Sequence, residues 1–301
     1  MNKLEANLVL LSVTFFWGVQ YIFLKNVPEE VSSFAFLAVT NGIGFVLVLA
    51  AFFGELLKIT WKLVLKSLIL AVLLFCFNIF LTMGSKLEEA STTSFLAAAY
   101  IVFIPVIMRA LGKPISKSSL LGLSAVLLGI FLAAGVSFRG QGAGWVLLIA
   151  ADVFFAVYMV AVEQMAGDCN PVLLSIGQMF FGMLFGLAGW LAGSPETFLK
   201  LPADKNFWSS VLVIAVFIRG FTTVMQVYAQ RYVTALNASL IFSLEIVFTL
   251  CTSLFLPAMI GGKTEEMTWM KAAGCLCIIA GVLVSGGALP GDEGRKSCEA
   301  G

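Results

Sequence analysis

The sequence contains no histidine, and only 12% of its 301 residues are charged. A soluble globular chain carries about 25% charged residues, whereas 60% of this chain is hydrophobic, so the composition indicates an integral membrane protein. The absence of histidine excludes catalytic triads that contain histidine, histidine metal ligands and histidine proton relays. The net charge of +1 gives no basic surface for nucleic acid, so no nucleic-acid partner is expected.

The chain also lacks a Walker A motif, which excludes ATP binding by that route. Cys275 and Cys277 have no second pair at zinc-site spacing, so the cysteines are interpreted as reduced packing residues, and no metal or cofactor is expected. The six cysteines of the chain are Cys76, Cys169, Cys251, Cys275, Cys277 and Cys298. The first apolar run continues to about Phe23, too long for the apolar region of a signal peptide, and is expected to stay as a transmembrane helix.

Ten apolar segments follow one another along the chain and are joined mostly by short loops. Each is long enough to cross a bilayer as a helix, which satisfies its backbone groups internally. We therefore predict an all-α integral membrane protein with ten transmembrane helices. The segments, numbered 1 to 10 in chain order, cover residues 6–25, 31–53, 63–83, 90–110, 118–137, 142–164, 170–193, 208–230, 234–257 and 268–289.

The placement of lysine and arginine predicts the orientation, because cytoplasmic loops are enriched in both. With the N-terminus in the cytoplasm, ten of the 18 basic residues lie on the cytoplasmic side and seven on the other, and Arg219 lies within the membrane. The bias is seven to three in the first half, whereas the second half alone does not decide its own orientation. We therefore expect a multi-pass plasma membrane protein with both termini in the cytoplasm.

Segments 4 and 9 share one pattern at an offset of 145 residues. Ala90 aligns with Ala235, Ser94 with Ser239, and the sequence Ile-Val-Phe occurs at both 101–103 and 246–248. Five helices per copy is an odd number, so two copies insert with opposite orientations, as in many secondary transporters. The prediction is two inverted five-helix repeats, residues 1–139 and 140–289, followed by a disordered cytoplasmic tail at 290–301.

Segment 8 carries polar residues at steps of three and four, which places them on one helical face. They are Arg219, Thr222 or Thr223, Gln226 and Gln230. Such a stripe in a membrane faces protein or a wet cavity. Arg219 either lines a solute pathway, where it attracts an anionic group, or forms an ion pair with Glu245 that fixes segment 8 against segment 9.

Glu245 lies near the middle of segment 9, where a carboxylate costs about 2.5–3.5 kcal/mol on insertion scales. It therefore needs a partner, a cavity or a proton. Three roles remain open: a coupling carboxylate that binds a proton, a direct ligand for an amine, and a static partner of Arg219. A weaker candidate, Asp152, lies one or two turns into segment 6, at a position compatible with the membrane interface.

Uncharged polar and aromatic residues recur at depth in the other segments. Each one alone is explained by an interhelical hydrogen bond, but together they indicate a cavity suited to a small polar or amphipathic solute. Asn41 and Gln178 occupy comparable positions in the two halves. The remaining candidates are Trp17, Gln20, Tyr21, Asn41, Asn78, Tyr100, Tyr158 and Gln178.

Several motifs in the same order resemble the EamA family of the drug/metabolite transporter superfamily. They are Phe16-Trp17-Gly18, Thr93-Ser94-Phe95-Leu96 followed by Tyr100 to Pro105, and the pairs Gly122/Gly129 and Gly274/Gly281. The resemblance covers roughly residues 6–289 and implies inverted five-helix repeats, a central cavity and export or exchange of small metabolites. In one departure, Glu245-Ile246 stands where the family often has Glu-Pro, so segment 9 is expected to be less kinked.

A secondary transporter is therefore the favoured hypothesis, one that moves a small metabolite or amphipathic solute by alternating access, with export as the favoured direction. Its partners would be the solute, membrane lipid and either protons or another coupling ion, and it would act as a monomer or homodimer. The main alternative is a non-transporting scaffold or receptor, although large soluble loops are absent. A channel fits the deep polar residues less well, and an intramembrane enzyme lacks any paired-carboxylate arrangement within one membrane layer.

Overall fold

The computed structural model describes residues 1–88, 90–133, 142–198, 200–259 and 267–285. Within these ranges the chain is helical and contains no strand. Eight helical stretches in the described ranges are long and apolar enough to cross a membrane, and two further apolar helices are shorter. The predicted tail at 290–301 and the ends predicted for segments 5 and 10 lie outside the described residues.

Every predicted segment coincides with helix. A π-helix over Ile214–Thr222 joins α9 to α10, and 3₁₀ turns lie at Phe53–Lys58 and Pro195–Thr197. The helices are α1 (Lys3–Leu24), α2 (Ser33–Ala51), α3 (Trp61–Leu87), α4 (Ala90–Leu96), α5 (Tyr100–Ala110), α6 (Lys117–Ala133), α7 (Ala143–Met165), α8 (Pro171–Gly193), α9 (Lys205–Val213), α10 (Thr223–Ala229), α11 (Ala235–Phe242), α12 (Glu245–Met259) and α13 (Trp269–Val284).

Segments 4 and 9 are each interrupted near their middle, and the two interruptions have matching hydrogen bonds. The amide of Ala99 donates to Leu96 O and that of Ile101 to Ala98 O. At an offset of 145, Leu244 donates to Ile241 O and Ile246 to Ser243 O. Segment 9 is thus interrupted without a proline at the break, and the expectation that Glu245-Ile246 makes it less kinked than is usual in the family stays a prediction.

Helices α6 and α13 pack closely through their glycines. A Cβ atom built on Gly122 would lie 2.5 Å from Gly281 O, and one built on Gly129 would lie 2.7 Å from Gly274 O. Position 122 therefore meets 281, and the later position 129 meets the earlier 274, so the two helices run antiparallel. The missing side chains permit this close approach of the backbones.

The glycines of α8 serve a similar purpose against α2 within the same chain. A Cβ atom on Gly186 would meet the backbone N of Ala38 at 2.6 Å, and one on Gly182 would meet Asn41 Oδ1 at 3.1 Å. Packing between helices of the same chain therefore accounts for Gly182 and Gly186.

One end of the bundle is held by charged side chains. Glu163, near the end of α7, accepts from Lys113 Nζ at 2.6 Å and from the Ala235 backbone amide at 2.7 Å. Asp168 accepts from Lys62 at 2.6 Å and Lys66 at 2.5 Å, and these hydrogen bonds hold the pKa of its carboxyl below the ordinary value. We call this region, formed by Lys62, Lys66, Lys113, Glu163, Asp168 and Ala235, the ion-paired end.

Candidate functional site

A narrow cavity of about 30 Å³ lies in the interior of the bundle. Residues of α1, α3, α5, α7, α12 and the helix formed by Ile214–Ala229 meet there, together with Ala97 of the interruption in segment 4. The lining residues are Trp17, Gln20, Tyr21, Leu74, Phe77, Asn78, Ala97, Tyr100, Phe155, Ile218, Arg219, Thr222, Thr223, Gln226 and Glu245. The cavity thus combines an aromatic wall with one cation and one carboxylic acid.

Arg219 enters this cavity from the π-helix. Its Nη1 donates to Asn78 Oδ1 at 2.8 Å, whereas its Nε has no hydrogen-bond partner although the residue is only 6% exposed. Arg219 and Glu245, both of which the structure describes, lie too far apart for an ion pair at the 4.0 Å limit. The interpretation of Arg219 as a static ion-pair partner of Glu245 therefore does not match this conformation.

The π-helix also explains why both threonines of the stripe line the cavity. Thr223 Oγ1 donates to Ile218 O, five residues earlier, while Thr222 Oγ1 donates to the same carbonyl. A π-helix is wound more widely than an α-helix, so neighbouring residues can share one face. Such segments occur frequently at functional sites. The α-helical periodicity left Thr222 and Thr223 as alternatives.

Glu245 is the first residue of α12 and is 2% exposed, and its Oε1 has no hydrogen-bond partner. Helix α1 packs directly against this point: a Cβ on Gly18 would lie 2.9 Å from the Glu245 carbonyl O. Thr249 Oγ1 donates to Gly18 O at 3.0 Å. The break in segment 9 therefore fixes Glu245 at the beginning of a helix, beside the cavity.

Aromatic rings form the wall opposite these charges. Phe155 contacts Trp17, Phe77 and Tyr100 at ring-centroid distances of 5.5, 4.4 and 4.8 Å. Trp17 Nε1 donates to Thr222 Oγ1 at 3.0 Å, which fixes the indole across the cavity. The Tyr100 hydroxyl is buried and has no partner. The wall can accept an apolar group while leaving one hydroxyl available for a hydrogen bond.

Four of the twelve predicted site residues lie outside the lining. Asn41 Nδ2 donates to Leu37 O at 2.8 Å and packs against Gly182. Tyr158 donates to Gln178 Oε1 at 3.0 Å, so these two residues satisfy each other. The eight predicted residues that do line the cavity are Trp17, Gln20, Tyr21, Asn78, Tyr100, Arg219, Gln226 and Glu245.

Asp152 is the fourth residue outside the lining, and it is fully buried within the protein. Its position relative to the membrane interface stays a prediction. Neither carboxylate oxygen has a partner in hydrogen-bond geometry, although the Tyr100 backbone amide lies near enough to interact. Asp152 is also within electrostatic range of Glu245. The sequence analysis found no such pair of carboxyl groups, because the two residues are 93 positions apart.

Several lining residues were not predicted as site residues. Thr222 and Thr223 were signalled only by the stripe on segment 8. For Phe155 the one signal is a loose match between the halves, of Phe154-Phe155-Ala156 with Phe16-Trp17-Gly18. Leu74, Phe77, Ala97 and Ile218 are apolar residues in apolar helices, so no sequence signal distinguishes them from residues that face lipid.

Comparison with known proteins decides the family. The profile of the EamA-like transporter family matches residues 4–135 and again residues 142–287. The chain belongs to this family. It is 25% identical over 285 residues to an "Uncharacterized transporter" from Archaeoglobus fulgidus, covering 94% of this chain and 86% of that relative. One solved crystal structure matches the fold with a TM-score of 0.72 at 18% identity, over 93% of this chain and 96% of the other.

Membership of the EamA-like transporter family, together with the eight apolar spans, makes the chain a multi-pass membrane protein of a transporter family. The resemblance seen in the sequence motifs is thereby confirmed. In this EamA-like chain the two matched stretches each contain one interrupted helix, whose second half begins at Tyr100 in the first stretch and at Glu245 in the second.

Proposed function

We propose that this protein is a secondary transporter that exports a small metabolite or amphipathic solute across the plasma membrane by alternating access. The observation that carries the proposal is the buried cavity in which Arg219 Nε and Glu245 Oε1 both lack hydrogen-bond partners. Unpaired charged groups within a membrane are costly and typically mark substrate or ion pathways. A bound solute would supply the missing partners, with Arg219 facing an anionic group and Glu245 an amine or a proton.

Two features support an arrangement as inverted repeats. In the proposed repeats Gly122 is equivalent to Gly274, and Gly129 to Gly281. Gly122 meets Gly281, and Gly129 meets Gly274, so exchanging the two repeats turns one contact into the other. Contacts that exchange equivalent positions are what a two-fold axis produces. The matching breaks before Tyr100 and Glu245 bring equivalent helix ends to one cavity. Rocking of one unit against the other about this cavity would alternately open its two ends.

The ion-paired end is the cytoplasmic end in our proposal. It carries Lys62, Lys66 and Lys113, which belong to the basic residues expected on the cytoplasmic side. Its contacts join α5, α7 and α11, and these would have to separate when the cavity opens to the cytoplasm.

A transport assay in liposomes tests the proposal. Purified wild type and Glu245→Gln would be compared on a panel of amino acids, other metabolites and amphipathic amines, with and without a pH gradient. We expect the wild type to transport at least one solute saturably, and Glu245→Gln to reduce its gradient-driven uptake more than tenfold. The matched control is Glu196→Gln, at an exposed position that is not part of the cavity lining, which should leave uptake unchanged.

The pattern of loss distinguishes the roles of Glu245. Loss of gradient-driven uptake with exchange retained supports a coupling carboxylate, whereas loss of both supports a direct solute ligand. If the folded wild type moves none of the solutes, or if Glu245→Gln transports as well as wild type, the proposal fails. The first of these results would favour the alternative of a scaffold or receptor.

A further inference from the structure

A second pocket, with a volume of about 220 Å³, lies at the ion-paired end. Its lining includes Lys3, Glu163, Gln230, Arg231, Thr234 and Asn237. Gln230 follows α10 directly, so it is continuous with the helix whose residues Arg219 to Gln226 line the central cavity. One continuous segment of the chain, Arg219 to Gln230, therefore contributes to the lining of both spaces.

This segment carries buried hydrogen-bond donors that have no partner. They are Arg219 Nε, Gln226 Nε2 and Gln230 Nε2, and each of these side chains is at least nine-tenths buried. From Arg219 to Gln230 the chain rises roughly 16 Å along the helix axis, about half the thickness of the hydrocarbon core. We call these three residues the donor ladder.

Unpaired donors within a membrane cost free energy unless an acceptor reaches them. Of the three, Gln230 is the least explained by packing, because both its Oε1 and its Nε2 lack partners although only 1% of the residue is exposed. No residue in the described part of the chain bonds to this amide, so it is free to bind a group that enters the pocket.

We propose that the pocket at Gln230 is an entry site for the carboxylate group of the solute, and that the donor ladder conducts this group to Arg219. The inference rests on the proposed transport function and adds a route and a solute class to it. A carboxylate presents only acceptors, so it complements three successive donors. Arg231, beside Gln230 in the same pocket, adds a cation at the mouth.

The test uses charged thiol reagents as probes, so the natural solute need not be known. A cysteine is introduced by Thr223→Cys, which lines the central cavity but is not part of the donor ladder. Two methanethiosulfonate reagents of similar size, one bearing a sulfonate and one a trimethylammonium group, are applied to the purified full-length protein. Labelling at position 223 is followed by peptide mass spectrometry, which distinguishes it from labelling of the native cysteines, so these need not be removed. Each labelling rate is divided by the rate at which the same reagent reacts with a small free thiol in solution.

We expect the normalised sulfonate rate to exceed the ammonium rate about tenfold. Adding Gln230→Leu should slow the sulfonate reaction about tenfold, whereas Gln230→Glu should reverse the charge preference. The matched control is Gln164→Leu, an exposed amide next to Glu163, which should change neither rate. Because Gln230 has no hydrogen bond to lose, Gln230→Leu should unfold at the same or a higher temperature.

Equal sulfonate rates with and without Gln230→Leu would overturn the proposal, and so would failure of the sulfonate reagent to reach position 223. A lower unfolding temperature for Gln230→Leu would instead make Gln230 a structural amide and would also overturn it. Labelling does not depend on transport. A liposome assay that fails while labelling behaves as expected therefore rejects the transport function and leaves the route intact.

Discussion

At the scale of single residues, the central finding is that Arg219 has a neutral partner. Spacing along segment 8 predicted that Arg219 lies on a polar face, and depth in segment 3 singled out Asn78. Which residue meets Arg219 depends on the relative rotation of helices distant in sequence, and the apolar periodicity of a membrane helix defines that rotation weakly. The sequence therefore offered Glu245 as partner, whereas the structure has Asn78.

Replacing Asn78 by alanine should destabilise the protein. The change removes the only acceptor that the structure gives to Arg219 Nη1, and loss of a buried hydrogen bond to a charged group costs about 1.5–3 kcal/mol. We expect a lower Tm in detergent and, because Arg219 loses its fixed position, weaker solute binding.

Asn206→Ala is the control for this prediction. Asn206 is exposed in the first turn of α9, so the change should leave the free energy of unfolding within about 0.5 kcal/mol of wild type. An unchanged Tm for Asn78→Ala would mean that Arg219 finds another acceptor, and the assignment of Asn78 as a positioning residue would fail.

At the scale of helices, hydropathy located all ten segments but not the breaks within segments 4 and 9 or the π-helix within segment 8. The two breaks lie between Leu96 and Tyr100 and between Phe242 and Glu245. Neither contains a proline or glycine that would mark it in the sequence. The intervening residues are mostly apolar, so the segments still read as continuous. The π-helix is hidden for the same reason, since a change of winding leaves composition unaltered.

Gly18→Ala should separate α1 from α12 at the cavity. The new Cβ would lie 2.6 Å from Phe248 Cβ and 2.9 Å from Glu245 O, closer than real contacts allow. Overpacking of this kind costs typically about 1–3 kcal/mol. We expect a lower Tm and reduced transport, measured on the same detergent and liposome preparations.

The matched substitution is Gly193→Ala at the end of α8, where no atom lies within 4 Å of the added methyl group. It should be neutral or stabilising by about 0.5–1 kcal/mol, because alanine is the better helix former. If the two variants have equal Tm values, α1 and α12 are not held in close contact at Gly18.

At the scale of the whole molecule, hydropathy predicted ten helical segments, and helices occupy all ten within the described residues. The duplication inferred from the offset of 145 residues stays a prediction. The sequence could not predict which contacts join the ion-paired end. Lys113 and Glu163, for example, lie 50 residues apart in the sequence, and a count of lysine and arginine residues does not include Glu163.

Joining this end covalently should stop transport if the two ends open alternately. In Lys113→Cys with Glu163→Cys, a short bifunctional thiol reagent would tie the end of α5 to α7, where the native side chains meet at 2.6 Å. Solute exchange in liposomes should then fall more than tenfold, and a cleavable linker should restore it after reduction, because only the covalent tie prevents separation. Each single-cysteine variant treated with the same reagent serves as control and should keep its exchange rate. Peptide mass spectrometry would verify the cross-link, and full exchange by the cross-linked protein would exclude opening at this end.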